Sequence, residues 1–317
     1  MNNNVKITVI TPTFNRANLI AKTIESILSQ TYKKFEYYIL DDGSTDNTRE
    51  IVEPYLKDKR VKYLYHENAG EPATVNWGWS LAKGEYFTQI NSDDIVDKDL
   101  FKEIVKVMDE NKDKIVAYTD YNFIDENDNI IFKQKNIDWN FIDALSKFSC
   151  YPAMVGTFIR KSALPNWNYI RTDIYIYISD VEMYWNMALV GDFIRIPKNL
   201  VSWRQHKGQI SVDRVESIKE VEHWFKEYFE RNDLPEEVIN IKDKVRESIV
   251  AYFINLTANS SLDLDKKVEI INHYISEIKK SEKQIIFFGI TYDKKYFTLY
   301  LFGIKITFKR RNKINNV

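Results

Sequence analysis

Two consecutive carboxylates, Asp93 and Asp94, directly follow the apolar run Tyr86–Ile90. Successive side chains of an extended chain point in opposite directions, so the two cannot easily share one role. One could bind a divalent cation while the other accepts a hydrogen bond from a sugar hydroxyl. Mg2+ and Mn2+ favour oxygen ligands and commonly combine few protein carboxylates with substrate phosphates. A strand-end pair suits such a metal–diphosphate site and is too poor for an all-protein cage; capping the next helix is the plainer alternative. A second polar cluster is Asp41-Asp42-Gly43-Ser44-Thr45-Asp46. An ionised carboxylate only accepts hydrogen bonds, so Asp42 could receive the N3–H of uracil or thymine, which cytosine lacks. Ser44, Thr45 and Asp46 read first as turn and cap residues. In the third cluster, Thr11-Pro12-Thr13-Phe14-Asn15-Arg16, backbone N–H groups could meet a nucleotide and Arg16 a phosphate. Its alternative is a strand-to-helix turn with a surface Arg.

The elements that must position these clusters follow from periodicity. Val5–Thr11, Phe35–Leu40, Val61–Tyr65 and Tyr86–Ile90 read as strands. Between them, Leu19, Ile20, Ile24, Ile27 and Leu28 keep a helical period, Thr48–Leu56 forms a helix capped by Asp46, and Pro72–Ala82 forms one closed by Gly84. Asp97 is placed to cap a helix with the apolar face Leu100, Ile104, Val107 and Met108. Such alternation predicts an α/β fold, a parallel sheet with helices on both faces, where ligands bind beyond the carboxyl ends of the strands. All three clusters lie at such ends. After Ile115 the pattern shifts to short strands at Ile115–Thr119, Phe123–Ile124, Ile130–Phe132, Val155–Ile159, Phe193–Ile196 and Leu200–Trp203, with a helix over Asp180–Leu189. The β signal stops near Ser211. Val215–Phe229, Glu237–Leu256 and Leu264–Lys279 are helical, and Gln284–Lys309 alternates like a terminal hairpin.

The order and spacing of Val9–Arg16, Ser26-Ile27-Leu28-Ser29-Gln30-Thr31, Asp41–Asp46 and Asn91-Ser92-Asp93-Asp94 resemble the inverting family 2 glycosyltransferases, over roughly Val5–Ser211. The resemblance implies the GT-A fold, with a mixed, mostly parallel central sheet, and a nucleotide-diphosphate sugar donor with Mn2+ or Mg2+. It implies that Thr11, Pro12, Thr13, Asn15, Arg16 and Asn76 contact the donor. Asp42 would meet the base, Asp93 the ribose or sugar, and Asp94 the metal. Where many members carry Arg before the Asn of the third helix, this chain has Val75, which points to a donor pocket of different character. Ser179-Asp180-Val181-Glu182 resembles the acidic segment that supplies the general base. Ser179 replaces a frequent Glu, Asp180 keeps the base position, and Glu182 stands in reserve. Trp203-Arg204-Gln205-His206 resembles a later Arg-x-His element near the diphosphate, with His206 as a candidate metal ligand. Without the resemblance, a first-turn carboxylate is most often a helix-dipole partner.

An enzyme of this kind moves a sugar to a hydroxyl of a glycan or lipid-linked glycan acceptor, in the setting of surface-polysaccharide assembly. Two alternatives stand beside it. A sugar-phosphate nucleotidyltransferase would carry a Gly-rich, basic loop after the first strand, and Thr11–Arg16 has no glycine. A non-catalytic module binding nucleotide sugar or glycan would not need both Asp94 and Asp180. Trp77, Trp79, Trp167, Trp185 and Trp203 could stack on sugars or fill the core; His66, His223 and His273 show no ligand spacing.

Composition narrows the classes further. With 45 Lys plus Arg against 46 Asp plus Glu, the net charge is −1, which argues against a nucleic-acid-binding surface. A single cysteine, Cys150, excludes an intramolecular disulfide and a Cys-based zinc cluster. The start shows no signal-like segment, and the longest apolar runs fall short of a membrane span. The expectation is a cytoplasmic protein. Tyr296–Arg311, mixing Phe, Tyr and Leu with a basic end, reads as a packed hairpin or as peripheral contact with anionic lipid at the inner membrane face. Over 317 residues the expected division is a GT-A domain at 1–212, with a nucleotide-binding half at 1–100 and an acceptor half at 101–212. A helical region ending in β-hairpin follows at 213–317.

Overall fold

The computed structural model describes residues 5–149, 156–163, 171, 175, 177–206, 215, 217–260 and 262–280, with side chains as far as 275, and the backbone of 288–292, 296–301 and 304–309. Cys150, Val155, Trp167, Ser211, Arg310, Arg311 and the expected boundary at 212/213 lie outside the described residues. The chain divides into two compact units.

The first unit comprises Met1–Leu145, Ser149–Gln209 and Asn232–Leu234. In chain order its elements are β1 (Ile7–Thr13), α1 (Ile20–Leu28), β2 (Phe35–Asp42), α2 (Thr48–Val52, continued as a tighter helical turn over Glu53–Lys57), β3 (Val61–His66), α3 (Glu71–Leu81), β4 (Tyr86–Gln89), β5 (Ile95–Val96), α4 (Leu100–Glu110), β6 (Lys114–Ile124), β7 (Ile130–Gln134), α5 (Phe141–Ser146, its last residue in the second unit), β8 (Phe158–Arg160), α6 (Ser179–Val190) and β9 (Asp192–Arg204). One sheet takes the order β3-β2-β1-β4-β8-β6-β9-β5, with β7 added to β6. β1 to β4 are parallel, as are β6 and β9. β8 is antiparallel to both β4 and β6. Those six strands therefore point one way and share one carboxyl edge, the mixed and mostly parallel α/β architecture expected from the sequence.

Strands buried on both faces read as continuous apolar runs, and β1 and β2 are buried throughout. Ile7, Val9, Tyr37 and Ile39 face one core with Ile24 and Ile27 of α1 and Leu100, Ile104 and Met108 of α4. Ile10, Tyr38, Leu40, Phe87 and Val116 face another with Val75 and Trp79 of α3 and Met183, Tyr184 and Met187 of α6. Helices α3 and α6 thus share one face of the sheet. Gly78 allows that approach: a Cβ there would stand 2.8 Å from side-chain atoms of Ile10 and Leu40.

Several local expectations change. The two short strands expected on either side of Asp120 are one strand, β6. Its buried Asp120 takes a two-pronged hydrogen bond from Arg195, Nε and Nη2 each at 2.8 Å, so a polar residue that looks like a break is satisfied. β9 is likewise continuous. Its pairing with β6 steps from Thr119↔Ile196 to Asp120↔Asn199, and that irregularity absorbs Pro197. Gly84 does not cap α3, whose end at Ala82 is extended; it passes against β1, where a Cβ would meet the Thr8 nitrogen at 2.5 Å. Asp97 does not cap α4 directly; it accepts the Asp99 N–H at 2.9 Å just ahead of the helix.

The second unit comprises Ser146–Phe148, Ile210–Arg231 and Pro235–Val317. It holds α7 (Ser217–Glu230), α8 (Glu236–Asn240), α9 (Lys242–Asn259), α10 (Leu264–Lys280) and an antiparallel meander of β10 (Phe288–Tyr292), β11 (Tyr296–Leu301) and β12 (Ile304–Lys309). Its buried residues include Val221, Trp224, Ile249 and Phe253. Among the described residues no helix is long and apolar enough to cross a membrane.

Candidate active site

At the carboxyl edge of the first unit, the loops after β1 and β2 are stitched together by side chains. Asn15, whose φ is +53°, donates its N–H to Ser44 Oγ at 2.9 Å, and its Oδ1 accepts the Thr45 N–H at 2.8 Å. Asp46 accepts the Ala17 N–H at 3.1 Å, and its other oxygen takes the Thr48 N–H and hydroxyl at the start of α2. Burial works to raise the Asp46 carboxyl, but the hydrogen bonds from Thr48 and Ala17 outweigh it and hold it below its ordinary value. Gly43 completes the turn at φ +84°, with the Asn68 nitrogen 2.7 Å from where its Cβ would stand. Only glycine suits both the dihedral and the space.

The carboxylate of Asp42 ties in the next loop. Its oxygens accept the N–H groups of Ala69 at 2.7 Å and Gly70 at 3.0 Å, while Asn68 Nδ2 donates to its carbonyl at 2.9 Å. Asp41 accepts from the Ser44 N–H and the Tyr63 hydroxyl. Thr11 is buried, its Oγ1 accepting from the Tyr37 hydroxyl at 3.0 Å, and Pro12 and Thr13 are buried as well. Arg16 stays partly exposed. Beside these clamped residues the Phe14 ring is 44% exposed. Sequence reasoning missed it as a flat surface, although an aromatic at the end of a buried strand is a visible signal.

Asp93 and Asp94 diverge as their adjacency predicts. Asp93 Oδ2 lies 2.9 Å from His206 Nε2, with side-chain exposures of 15% and 12%. Asp94 is fully enclosed. Its Oδ1 accepts the Arg204 N–H at 3.0 Å, and its Oδ2 is buried with no hydrogen-bond partner. Burial, and then repulsion from Asp93, push its carboxyl well above the usual range, against the pull of Arg204. Ahead of the pair, buried Gln89 donates from Nε2 to Glu71 Oε1 and to Asn91 Oδ1, each at 2.8 Å.

Asp93 Oδ2 and His206 Nε2 are donor types that a divalent cation accepts, and in this structure they lie at ordinary hydrogen-bond distance from each other, 2.9 Å. Among the described residues no group of three or more His, Cys, Asp or Glu could hold a metal. A cation there needs oxygens from elsewhere, as substrate phosphates would supply.

Asp180 lies in the first turn of α6 and accepts the Val181 N–H at 2.9 Å. The helix N-terminus favours an ionised carboxylate. Glu182 is buried and takes a hydrogen bond from Asn186 Nδ2. Helix α6 runs back along the sheet into β9 and so presents Asp180 toward the same carboxyl edge, as α3 presents Glu71. Asn76 is on α3 and partly exposed, whereas Val75 faces the core. Trp79 and Trp185 are buried; Trp77 and Trp203 are partly exposed. Trp77 meets the His66 ring edge-on at 5.0 Å. Asp93, His206, Asp94 and Arg204 form one cluster.

This carboxyl edge carries a carboxylate–imidazole pair beside loops that side chains tie together. The glycosyl transferase family 2 model matches residues 8–172, just over half of the chain, and the chain belongs to that family. An uncharacterized glycosyltransferase of Rickettsia conorii is 43% identical over 124 residues, covering 39% of this chain and 20% of the relative. The match thus spans about a fifth of that relative's length. Among solved structures, TarS 1–349 of S. aureus in complex with UDP-GlcNAc is similar, with a TM-score of 0.59, 17% identity, and coverage of 96% of this chain and 99% of that one. The mannosyltransferase PcManGT of Pyrobaculum calidifontis in complex with GDP-Man and Mn2+ has a TM-score of 0.57 and 16% identity, covering 87% and 81%. At these identities the likeness is one of fold, and it is a GT-A glycosyltransferase fold.

Proposed function

We propose that the protein is an inverting glycosyltransferase. It would move a sugar from a nucleotide-diphosphate donor, UDP-sugars first, to a hydroxyl of a glycan or lipid-linked glycan in surface-polysaccharide assembly. It would work in the cytoplasm, at the inner face of the membrane where the acceptor is lipid-linked. The observation that carries this reading is the Asp93–His206 pair at 2.9 Å, on the same sheet edge as Asp180.

In this reading Asp94, whose Oδ2 is buried without a hydrogen-bond partner, and His206 would hold Mn2+ or Mg2+ against the donor diphosphate, with Asp93 at the ribose or sugar. When bound, the cation offsets charge on the departing diphosphate as a Lewis acid. Phe14 offers its face to the base. Asp42 accepts the N3–H of uracil through lone pairs that Ala69 and Gly70 leave unused, since a carboxylate has about four acceptor sites. Support for a uracil nucleotide comes from the UDP-GlcNAc bound by TarS, and for the cation from the Mn2+ bound by PcManGT. Asp180 takes the proton of the acceptor hydroxyl as its oxygen attacks the anomeric carbon opposite the leaving diphosphate. That displacement inverts the anomeric centre.

A panel of UDP-, dTDP-, GDP- and CMP-sugars, screened by thermal shift and donor turnover with and without Mn2+, tests the proposal. UDP-sugars should raise the melting temperature most, and only with the cation. No stabilisation by any nucleotide sugar would overturn it.

A further inference from the structure

We infer that β7 is a membrane-contact strand: Ile130, Ile131 and Phe132 enter the apolar layer of an anionic bilayer, and Lys133 and Lys135 meet its phosphates. These three consecutive large apolar side chains stand in water, Ile130 at 53%, Ile131 at 61% and Phe132 at 57% exposure. Single exposed apolar residues are ordinary, whereas a contiguous run marks an interaction surface. Among the described residues β7 pairs with β6 and with no other strand. Beyond its end the chain stays beside β6, where Asn136 donates its N–H to Asp120 Oδ1 at 2.9 Å and, from Nδ2, to the Thr119 carbonyl at 2.7 Å. Ile137 then adds a further exposed apolar side chain.

Geometry and charge choose a bilayer over a protein partner. Successive strand side chains face opposite ways, and Ile131 and Phe132 are both open. A docked protein covers one face of a strand; lipid chains surround both. The pairing with β6 steps from Phe123↔Phe132 to Ile124↔Ile130, so Ile131 stands in a bulge. A bulge at an open edge works against the addition of another strand, whether from a second copy or a peptide. Lys133 and Lys135 follow the apolar run and are both exposed, an arrangement that favours anionic lipid. The acids nearby are largely engaged. Asp128 pairs with Lys22 and Arg204, each at 2.5 Å, and Asp138 with Arg195 at 3.2 Å. Asp125 accepts the Asn127 and Asn129 N–H groups at 2.8 and 2.9 Å. Glu126 remains exposed at the turn, one acid against two lysines. Phe132 stacks on Phe123, ring centroids 6.4 Å apart, and Phe123 meets Trp203 at 5.4 Å. Trp203 directly precedes Arg204, whose Nε donates to the Asp93 carbonyl at 2.8 Å. A bilayer that holds β7 therefore holds the Asp93-Asp94 loop near its surface, where a lipid-linked acceptor would lie; that last link rests on the proposed transfer.

The full chain is co-sedimented with mixed phosphatidylglycerol–phosphatidylcholine vesicles and with phosphatidylcholine vesicles alone, without donor or metal. Wild type should pellet with the anionic vesicles. Ile131→Ser combined with Phe132→Ser should lower the partition coefficient about tenfold or more, since burial of apolar area drives interfacial binding. Lys133→Gln combined with Lys135→Gln should lower it about tenfold on anionic vesicles and little on neutral ones. Phe132→Trp should retain binding, and its added emission should shift to shorter wavelength with vesicles. Circular dichroism melts check each fold; should the serine pair not fold, the lysine pair and Phe132→Trp decide. Failure of wild type to bind, wild-type partition in either double variant, or an unshifted Phe132→Trp emission would overturn the inference. A wild-type dimer in sedimentation velocity that the serine pair converts to monomer would overturn it too, by making β7 an interface between copies. No readout needs a nucleotide sugar, so these failures leave the proposed transfer standing, and absence of donor binding leaves β7 standing.

Discussion

Replacing Asp42 by Ala separates a loop-building carboxylate from one that only reads a base. The side chain is buried and both oxygens accept backbone N–H groups, from Ala69 at 2.7 Å and Gly70 at 3.0 Å. A hydrogen bond to a charged group contributes about 1.5–3 kcal/mol, so two lost together cost about 3–6 kcal/mol. For a unit of this size each kcal/mol lowers the melting temperature by roughly 2–4 °C, giving a fall of roughly 6–24 °C by those two ranges together. Asp42→Asn should fall in between, because it retains one acceptor and turns an amide NH2 toward the other N–H. Circular dichroism melts and urea unfolding of both variants measure this, with UDP and CDP affinities taken in parallel. An Asp42→Ala protein as stable as wild type, altered only in its UDP over CDP preference, would refute the structural role and leave base recognition alone.

Two further outcomes follow from the site. Asp180→Asn should lose about 10²–10⁴-fold in turnover, the value of a placed general base, with donor KM within about threefold. Glu182→Gln should chiefly lower stability, since Glu182 is buried against Asn186; steady-state kinetics and melting curves of both variants check this. Asp46 has a folded pKa below its ordinary 3.8. Its contribution to stability is present above that pH and is lost as pH falls through the folded value. Asp46→Asn should therefore melt below wild type at pH 7, with the gap closing as pH falls below 3.8, and a gap independent of pH would count against the assignment.

The alternation of strands and helices from Ile7 to Glu110 is legible because β1, β2 and β4 are buried throughout and α1 and α4 each bury one apolar stripe. β8 is legible as a strand, expected at Val155–Ile159 and found at Phe158–Arg160, but its place in the sheet is not. Its three residues, Phe158–Arg160, gain their place from pairing with Tyr86–Thr88 and Val116–Ala117, far off in sequence. Pro197 hides the continuity of β9, because only the pairing with β6 shows the step that accommodates it. In the site, the carboxylate clusters fall at the strand ends as the pattern requires. Which member of Asp93-Asp94 faces outward is decided by Arg204, 110 residues after Asp94, and no local spacing encodes that. The same holds for Asn15 and Asp42, whose side chains are occupied by neighbouring loops that only the fold brings near.

The central claim is tested most directly by the stereochemistry of transfer. The protein is incubated with an α-linked UDP-sugar, Mn2+ and a set of glycan acceptors, and the isolated product is assigned by NMR at its anomeric carbon. The account predicts a β-linked product that forms with Mn2+, fails without it, and nearly vanishes in Asp180→Asn. An α-linked product, or full turnover by Asp180→Asn, would contradict it.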